Sequence, residues 1–535
     1  MFNALTMDDY PLTLTAVVER AQLFHDVDVV SRRPDGSLTR TTMAACVQQA
    51  RRVATALAGL GVAAGDRVAT LLWNQVEHLE IYLAVPAMGA VVHTLNPRLH
   101  ADELAFIVAD AGDSVIVVDE SLLDVFEGFR HIHRFTHVVV VTHNDDAPQG
   151  MWDYRVLAER AEPMSWPVLD ERSAAAMCYT SGTTGRPKGV VYSHRALVLH
   201  SLAAALPDAL GVSARETLLP VVPMFHANAW GLPYASAMIG ARLVLPGPLL
   251  DPHSILDLLV RERVTMTAGV PTVWMGMLAA LDAEPQRWDL TCLDRLIVGG
   301  AAVSRALIEG YDQHGLRVIQ AWGMTETAPL GTVSRLPVGL DEQGSDAQYE
   351  YRIRQGTPVP LVEIRAVDDD GRPIERDDSA MGELEIRGPW VASAYHNGRG
   401  SDSFTADGWF RTGDIVRIDE HGCIRICDRA KDLVKSGGEW ISSVDLENRL
   451  MGHPAVAEAA VIAVPDERWG ERPLAAVVIR DGMSVHPDEL KQHLSAHYAK
   501  WQIPDRFEYL PEIPRTATGK FRKTELRQRF ASQTT

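Results

Sequence analysis

Short runs of β-branched and other apolar residues recur along the first part of the chain, and each run has polar ends. Four of them are RVATLLWN (67–74), GAVVHTLN (89–96), SVIVVDE (114–120) and HVVVVTH (137–143). Stretches with apolar residues at helical spacing separate the runs, as in AACVQQARRVATALAGLG. This alternation of strands and helices predicts an α/β fold with largely parallel sheets.

Four later runs each lead into a turn of small residues: ARLVLPG, RVTMTAGVPT, DRLIVGGAAVS and LRVIQAWGMTET. Ligands of open α/β sheets bind beyond the carboxyl ends of strands, so these turns are candidate binding sites. From about residue 350 the pattern becomes β-rich, and from 428 it is mixed. We therefore predict a large N-terminal domain of several subdomains, residues 1–427, with parallel-rich sheets and a β-rich part, and a small α+β C-terminal domain, residues 428–535.

Composition narrows the class of protein. The chain has 535 residues, of which 46% are hydrophobic and 23% charged, and a formal charge of −19, which argues against nucleic acid or an anionic membrane as the main partner. Its five cysteines are scattered and lack metal-ligand spacing, which favours a reducing cytoplasmic location. The N-terminal segment carries acids where a signal peptide needs basic residues, and no apolar run approaches the ~18 residues of a membrane span.

The richest chemical signal is YTSGTTGRPKGVVYSH, residues 179–194. Glycines let such a loop turn its amides and hydroxyls toward a polyphosphate. It is not the common P-loop pattern, because Lys188 lies between Pro187 and Gly189 and no hydroxyl follows it. A surface loop rich in Gly, Ser and Thr is the alternative interpretation. The candidate phosphate ligands are Thr180, Ser181, Gly182, Thr183, Thr184, Gly185 and Lys188.

Five further segments follow in order: GGAA (299–302), QAWGMTET (320–327), TGD (412–414), DRAKDLVKSGGEWIS (428–442) and PRTATGK (514–520). With this series the chain resembles, over nearly its whole length, the adenylate-forming superfamily of acyl-CoA synthetases, adenylation domains and firefly-type luciferases. The segments VVPMFHANAW, GVPTVW and AKWQIPD are similar to those of bacterial medium- and long-chain fatty-acid CoA ligases. The resemblance implies that a carboxylate attacks the α-phosphorus of ATP and that CoA then displaces AMP.

The resemblance implies which side chains of these segments bind ATP. Glu326 would bind Mg²⁺ with Thr180 as a second contact, because magnesium takes hard oxygen ligands. Asp414 would accept from the ribose hydroxyls with Arg429 in support, and Trp322, where the family more often has tyrosine, would stack on adenine. The other implied contacts are Gly300, Ala301, Ala302, Gln320, Ala321, Gly323, Thr325 and Thr327, the last to the α-phosphate.

Lys520 is the residue expected to catalyse adenylation, because a lysine there can stabilise charge between the carboxylate and the α-phosphate. The alternative is a solvated basic tail, since four more cations follow it. The resemblance also implies rotation of the C-terminal domain about Lys431, which would withdraw Lys520 and bring in the CoA-binding segments. The expected CoA contacts are Lys435, Gly437, Gly438, Trp440, Arg468 and Arg472.

The acyl pocket is expected around PMFHANAW. His226 and Trp230 are four positions apart and would share one face if the segment were helical. In the fatty-acid ligases the matching histidine closes over the carboxylate, a catalytic role, and the matching tryptophan gates the hydrocarbon tunnel. Pro223, Val270, Pro271 and Gly323 would complete an apolar channel for a medium or long alkyl chain.

Other functions stay open at the level of sequence. They are a CoA ligase for a short branched, aryl or thioether acid, an enzyme that loads a separate carrier protein, a luciferase-like oxygenase, and a non-enzymatic nucleotide sensor. Presence of both the ligand residues and Lys520 argues against a sensor, which has no need of a group that acts at the transition state. The predicted partners are a carboxylic acid, ATP with Mg²⁺, and CoA, and the resemblance suggests a cytoplasmic homodimer formed through the N-terminal domain.

Overall fold

A computed structural model describes residues 10–143, 146–180, 186–430, 432–436, 439–466, 468–515 and 521–531, without the side chains of residues 439, 440 and 531. Within these ranges the α-helices are α1 (Leu14–Ala21), α2 (Met43–Gly59), α3 (Val76–Ala87), α4 (Ala101–Ala111), α5 (Leu123–Phe129), α6 (Tyr154–Glu159), α7 (His194–Ala205), α8 (Leu232–Ile239), α9 (Pro252–Arg261), α10 (Pro271–Ala283), α11 (Arg305–Gln313), α12 (Ser345–Arg352), α13 (Ser443–Met451), α14 (Pro487–Ser495) and α15 (Lys523–Ala531).

The strands of the same ranges are β1 (Asp28–Arg32), β2 (Leu38–Thr42), β3 (Arg67–Leu71), β4 (Val91–Thr94), β5 (Val115–Asp119), β6 (His137–Val141), β7 (Trp152–Asp153), β8 (Ala174–Tyr179), β9 (Gly189–Ser193), β10 (Thr217–Pro220), β11 (Arg242–Leu245), β12 (Met266–Gly269), β13 (Arg295–Val298), β14 (Arg317–Gly323), β15 (Leu330–Val333), β16 (Thr357–Pro358), β17 (Glu363–Val367), β18 (Gly382–Arg387), β19 (Phe410–Ile418), β20 (Ile424–Arg429), β21 (Val434–Ser436), β22 (Glu439–Ile441), β23 (Val456–Asp466), β24 (Gly470–Ile479) and β25 (Arg506–Tyr509).

Two large sheets make up the first part of the chain. Among the described residues one has the order β7-β6-β5-β3-β4-β8-β9 and the other β16-β15-β14-β13-β12-β10-β11-β1-β2. Neighbouring strands pair in parallel through the middle of each sheet. Pairing is antiparallel at both ends of the nine-stranded sheet and at the β8–β9 end of the other, whereas β7 joins β6 in parallel. The four β-branched runs noted in the sequence are β3 to β6, so the predicted α/β class is confirmed.

The helices lie on both faces of these sheets, and helix α3 shows how the layers fit together. Every residue of α3 from His78 to Ala87 is buried, which is expected of a helix between two sheets rather than at the surface. One continuous apolar core joins side chains of both sheets, including Val68, Leu243 and Ile297. Two outer cores, under α9 to α11 and under α4 and α5, cover the opposite faces.

The later part of the chain forms smaller sheets. Strands β17 to β20 make a four-stranded antiparallel sheet, and the C-terminal residues build a separate sheet in which β25 joins β24 in parallel. The C-terminal sheet has its own apolar cores, so this part is a smaller unit. Strand β20 extends to Arg429, two residues beyond the predicted boundary at 427, and the boundary itself stays a prediction. Among the described helices, none combines the length and the apolar character needed to cross a membrane.

Three buried histidines make the stability of this core depend on pH. Burial lowers the pKa of His78, His194 and His200 to about 4. Each is neutral in the folded protein but takes up a proton in the unfolded chain below about pH 6.5. Their contribution to stability is therefore complete above pH 6.5 and is lost as the pH falls toward about 4, by up to about 1.4 kcal/mol per pH unit for each histidine.

We expect His194→Asn to make the free energy of unfolding less steeply dependent on pH between 6.5 and 4.5. The asparagine amide oxygen can replace the ring nitrogen Nδ1, which accepts a hydrogen bond from the backbone N–H of Leu14 at 3.2 Å. Urea unfolding at a series of pH values measures this slope. His421→Asn is the matched control because the imidazole of His421 is exposed, and equal slopes in the two variants would contradict the prediction.

Candidate active site

A large open cavity lies at the carboxyl ends of β8, β13 and β14. Its volume is about 1730 Å³. Residues of the four-stranded sheet and of the C-terminal unit also line it, among them Arg429, Arg515 and Phe521. The cavity is therefore where the sequence placed a ligand site, and it lies between the two parts of the chain. The predicted site residues along its wall are Thr180, Lys188, His226, Trp230, Gly300, Ala321, Trp322, Gly323, Thr325, Glu326 and Arg429.

The two ends of the proposed phosphate loop are joined to each other. The backbone N–H of Thr180 donates to the carbonyl of Lys188 at 2.9 Å, and the N–H of Lys188 donates to Oγ1 of Thr180 at 3.1 Å. The ammonium of Lys188 lies 4.6 Å from the ring centroid of Tyr395, on the cavity wall. These contacts fix where the loop leaves β8 and where it enters β9, and they hold a cation beside it.

Glu326 is positioned by a tight turn at the end of β14. A side chain at Gly323 would meet the carbonyl oxygen of Pro329, so only glycine lets the chain reverse here. Glu326 is only 5% exposed, and the hydroxyl of Tyr395 donates to its Oε1 at 2.6 Å. Its Oε2 accepts no hydrogen bond from any described residue. Burial, with the charge of Glu326 beside it, raises the pKa of Tyr395, so this hydroxyl keeps its proton.

Asp414 links a ring and a cation at the cavity. The indole Nε1–H of Trp322 donates to its Oδ2 at 3.2 Å, and Nε of Arg429 lies 2.7 Å from its Oδ1. Arg429 also donates through Nη1 to the carbonyl of Thr412. Asp414 is buried and does not line the cavity itself, but it holds Trp322 and Arg429, which both do.

The other predicted nucleotide contacts differ in how they face the cavity. Gly300, Ala301 and Ala302 are exposed. Gln320 is buried, and its Oε1 has no hydrogen-bond partner within the described ranges. The hydroxyl of Thr327 is engaged inside its own turn, where it donates to the carbonyl of Pro329 at 2.5 Å. The predicted contact of Thr327 with the α-phosphate would require this bond to be exchanged.

The segment after His226 is a left-handed turn and not a helix. Residues 227 to 231 have φ values of 37°, 42°, 55°, 55° and 70°, so the condition under which His226 and Trp230 would share a helical face is not met. The thiol of Cys178 donates to Oδ1 of Asn228 at 3.1 Å and helps to hold the turn. Residue spacing alone does not show that four residues other than glycine adopt a backbone conformation that favours glycine.

Trp230 lines the cavity and packs against Gly299. Its side chain is 8% exposed, and a Cβ added at Gly299 would lie 3.0 Å from its ring. The missing side chain at Gly299 therefore provides the space that the indole occupies. His226 and Trp230 both line the cavity, whereas Pro223, Val270 and Pro271 do not, and a Cβ added at Gly300 would lie 3.4 Å from Val270.

The predicted CoA contacts that can be described lie in the C-terminal unit. Arg472 is buried, and its guanidinium donates to Asp505, Ser436 and the carbonyl of Ile503. Arg468 is exposed and lies over the ring of Trp469, and Lys435 is exposed on β21. Arg472 thus has a structural role in this arrangement, and the contacts of all three with CoA stay predictions.

Several predicted residues lie outside the described ranges. They are Ser181, Gly182, Thr183, Thr184, Gly185, Lys431, Gly437, Gly438 and Lys520, together with the side chain of Trp440.

The sequence did not identify Tyr395 or Asp110 as part of the site. Asp110 accepts from the hydroxyl of Tyr179 at 2.8 Å and from Nη2 of Arg399 at 2.6 Å, and so ties the root of the phosphate loop to the segment that carries Tyr395. Tyr395 and Glu326 are 69 positions apart, and Asp110 and Arg399 are 289 apart. No local pattern marks contacts over such separations.

Comparison with known families gives two matches. The family described as AMP-binding enzyme matches residues 17–396, and the AMP-binding enzyme C-terminal domain matches residues 445–520. Together these two matches include every described residue of the cavity wall except those at 402–430, 432 and 521–528.

Individual relatives are similar over nearly the whole chain. A long-chain-fatty-acid–CoA ligase of Thermus thermophilus is 49% identical over 98% of this chain and 97% of its own. Two further relatives are each 42% identical over 97% of this chain. They are a 3-methylmercaptopropionyl-CoA ligase of Ruegeria pomeroyi, of which 97% is covered, and a medium-chain-fatty-acid–CoA ligase of Ectopseudomonas oleovorans, of which 96% is covered. Among solved structures, an anthranilate CoA ligase in complex with anthranoyl-AMP has a TM-score of 0.87 at 25% identity, with 98% of this chain and 99% of that chain covered.

Proposed function

The chain belongs to the AMP-binding enzyme family, and from this premise we propose that it is an ATP-dependent, AMP-forming fatty-acid CoA ligase for medium- or long-chain acids. One observation carries the proposal. Thr180, Lys188, Glu326 and Arg429 line the same cavity as Arg515 and Phe521, the described residues on either side of Lys520. The resemblance inferred from the motifs is confirmed by the family match.

The first half-reaction joins two anions. An oxygen of the fatty-acid carboxylate attacks the α-phosphorus of ATP, the bond from that phosphorus to the bridging oxygen breaks, and pyrophosphate leaves with its electron pair. Repulsion between the reactants makes positioning and charge neutralisation the protein's main tasks. Lys188 at the phosphate loop suits the leaving pyrophosphate, and Lys520 suits the atoms that exchange bonds.

The second half-reaction transfers the acyl group to sulfur. The CoA thiol loses its proton to solvent and attacks the acyl carbon, and the bond from that carbon to the phosphate oxygen breaks, which releases AMP. We propose that the C-terminal unit turns about Lys431 between the two steps, as the resemblance implies.

The residues present fit a magnesium ion at Glu326. One carboxylate oxygen of Glu326 accepts a hydrogen bond from Tyr395, and Glu326 and Thr180 both line the cavity. Magnesium bound with nucleotide takes one or two protein oxygens and completes its shell with phosphate oxygens and water. When bound, it would neutralise phosphate charge, and Glu326 and Thr180 are the residues that would hold it.

Release of AMP tests the proposal directly. We would supply ATP and Mg²⁺ with carboxylic acids of graded chain length, and with aryl and thioether acids, each with and without CoA. CoA-dependent turnover that peaks on an alkyl acid supports the proposal. Pyrophosphate release without CoA turnover indicates a carrier-protein acceptor, and no turnover on any acid refutes a ligase.

A short thioether acid is the second candidate substrate. The 3-methylmercaptopropionyl-CoA ligase is as similar to this chain as the medium-chain ligase is. The two substrate classes can be distinguished at Trp230, which lines the cavity. An indole that stays in place leaves a short pocket, whereas one that moves aside admits an alkyl chain, which gains ~0.8 kcal/mol per buried CH₂.

We expect Trp230→Ala to shift the optimum of kcat/KM toward longer or bulkier acids. Each extra buried CH₂ is worth roughly fourfold in kcat/KM at ~0.8 kcal/mol. The chain-length profile measures the shift. Trp152→Ala is the matched control, since Trp152 is 44% exposed on β7 and does not line the cavity. An unchanged profile for Trp230→Ala would remove Trp230 from the acyl pocket.

A cytoplasmic location and a homodimer through the N-terminal part are further expectations of the resemblance. Light scattering on the purified protein measures its mass in solution, and a monomer would contradict the dimer.

A further inference from the structure

Four polar side chains, three of them buried and one largely buried, meet where β20 leads into the C-terminal unit. We call Asp428, Ser443, Glu447 and Lys523 the hinge cluster. The ammonium of Lys523 lies 2.7 Å from Oε1 of Glu447 and donates to the hydroxyl of Ser443 at 2.5 Å. Oδ2 of Asp428 accepts from the backbone N–H of Ser443 at 2.8 Å. Helix α13 therefore joins Asp428 on one side to Lys523 on the other.

The charges of the hinge cluster are well shielded from solvent. The side chain of Lys523 is 11% exposed and that of Glu447 is 9% exposed, and Asp428 is buried. Burial raises the pKa of Glu447 to about 7, and Lys523 opposes this rise. Burial also lowers the pKa of Lys523, but the charges of Glu447 and Asp428 outweigh it, so its pKa lies above the ordinary value. These partners thus favour the charged form of Lys523.

Two of these partners belong to opposite sides of the expected rotation. Asp428 lies in β20, whose pairing with β19 places it in the four-stranded sheet, where it faces Ile415. Ser443 and Glu447 lie on α13, which packs on β23 of the C-terminal sheet, and the backbone N–H of Val461 donates to Glu447 at 2.7 Å. Arg425 and Asp445 form a further contact across the same boundary at 3.2 Å.

Lys523 also stands at a significant place in the sequence. It follows Lys520 by three positions and is the first residue of α15. Two positions before it, Phe521 pairs with Arg515 as an isolated β-bridge, so the described residues on either side of segment 516–520 lie beside each other. On the same helix, Arg527 is hydrogen-bonded to Asp432. The basic residues after Lys520 are therefore not a uniformly solvated tail.

We propose that Lys523 is a positioning residue for the adenylation step. Its pairing with Glu447 and Ser443 fixes the C-terminal end of the Lys520 loop on α13. The contact of α13 with Asp428 holds that assembly against the nucleotide side in this domain arrangement. Rotation about Lys431 would separate Asp428 from Ser443, so Lys523 would support the first half-reaction and not the second. The inference rests on the proposed two-step function.

The two half-reactions can be measured separately to test this role. The change is Lys523→Met, which keeps the length of the side chain and removes its charge. Glu447 can then take up a proton in place of its lost partner, because its pKa is already raised. We expect pyrophosphate release in a single turnover with octanoic acid and ATP to slow by about 10²-fold, as for a small misplacement of a reacting group. Conversion of supplied octanoyl-AMP and CoA to octanoyl-CoA is expected to stay within about twofold of the wild-type rate.

Two further variants separate positioning from general loss of structure. Lys523→Arg keeps the positive charge, and we expect it to recover at least about tenfold of the lost adenylation rate. Arg529→Met removes an exposed cation from the same helix outside the cavity, and both half-reactions are expected to be unchanged. Equal slowing of both half-reactions in Lys523→Met, or adenylation at the wild-type rate, would overturn the proposal. A wild-type protein that forms no acyl-adenylate would instead refute the proposed function.

Discussion

Lys520→Ala is expected to slow acyl-adenylate formation by about 10²- to 10³-fold while the affinity for ATP stays within about twofold. Lys520 would interact with the exchanging oxygens most strongly as charge builds up between carboxylate and α-phosphorus. Its removal is therefore expected to destabilise the transition state more than the complex with ATP. Arg515 and Phe521, which flank the loop, both line the nucleotide cavity, and this places the loop's two ends at the site. Pyrophosphate release in a single turnover and ATP binding by calorimetry give the two quantities.

The control for this change is Lys491→Ala. Lys491 lies on α14 of the same C-terminal unit and does not line the cavity, so neither quantity is expected to change. A supplied acyl-adenylate should still be converted to acyl-CoA by Lys520→Ala, because rotation is expected to withdraw the lysine before that step. Parallel losses in adenylation and in ATP affinity would show that Lys520 binds the ground state and would contradict its assigned role.

Glu326→Gln is expected to lower adenylation by about 10²-fold and to raise the Mg²⁺ concentration needed for half-maximal rate by at least about tenfold. The amide keeps the size of the side chain but loses the charge that a magnesium ion requires. Titration of the rate of pyrophosphate release with Mg²⁺ at fixed ATP measures both effects.

Tyr395→Phe is the matched comparison for Glu326→Gln. It removes the hydroxyl that donates to Oε1 at 2.6 Å but leaves the ring beside Lys188 and the carboxylate itself. We expect only about tenfold slower adenylation, since the metal ligand remains and only its orientation is loosened. If the Mg²⁺ dependence of Glu326→Gln matched that of the wild type, Glu326 would not be a metal ligand.

The sheets could be predicted from the sequence because each strand carries its own signal. The runs that became β3 to β6 are β-branched, short and bounded by polar residues, and burial on both faces of a parallel sheet explains why they do not alternate. The turns after β13 and β14 were likewise predicted as binding sites, since ligands collect at the carboxyl ends of strands. Strand order carries no such signal, because it depends on contacts between distant parts of the chain.

The details of the site that the sequence did not indicate also depend on contacts between distant parts of the chain. The hydrogen bond from Trp322 to Asp414 spans 92 positions and that from Tyr395 to Glu326 spans 69. Both depend on how the four-stranded sheet packs against β14. Lys523 was included in a run of cations, and only the fold shows that it is buried against Glu447 while Arg522 is exposed. Charge pattern alone does not separate a surface cation from a buried one.

The left-handed turn at 227–231 affects how the substrate range of this protein can evolve. Four of its residues are not glycine, and each is held in a backbone conformation that costs about 1 kcal/mol or more, which the surroundings must offset. The side chains that hold it, Cys178 against Asn228 and His200 behind Gly231, face the turn from within the core. Mutations at these two positions can therefore move Trp230 without touching a substrate. Selection for new acids can act on the core behind the pocket as well as on the pocket wall.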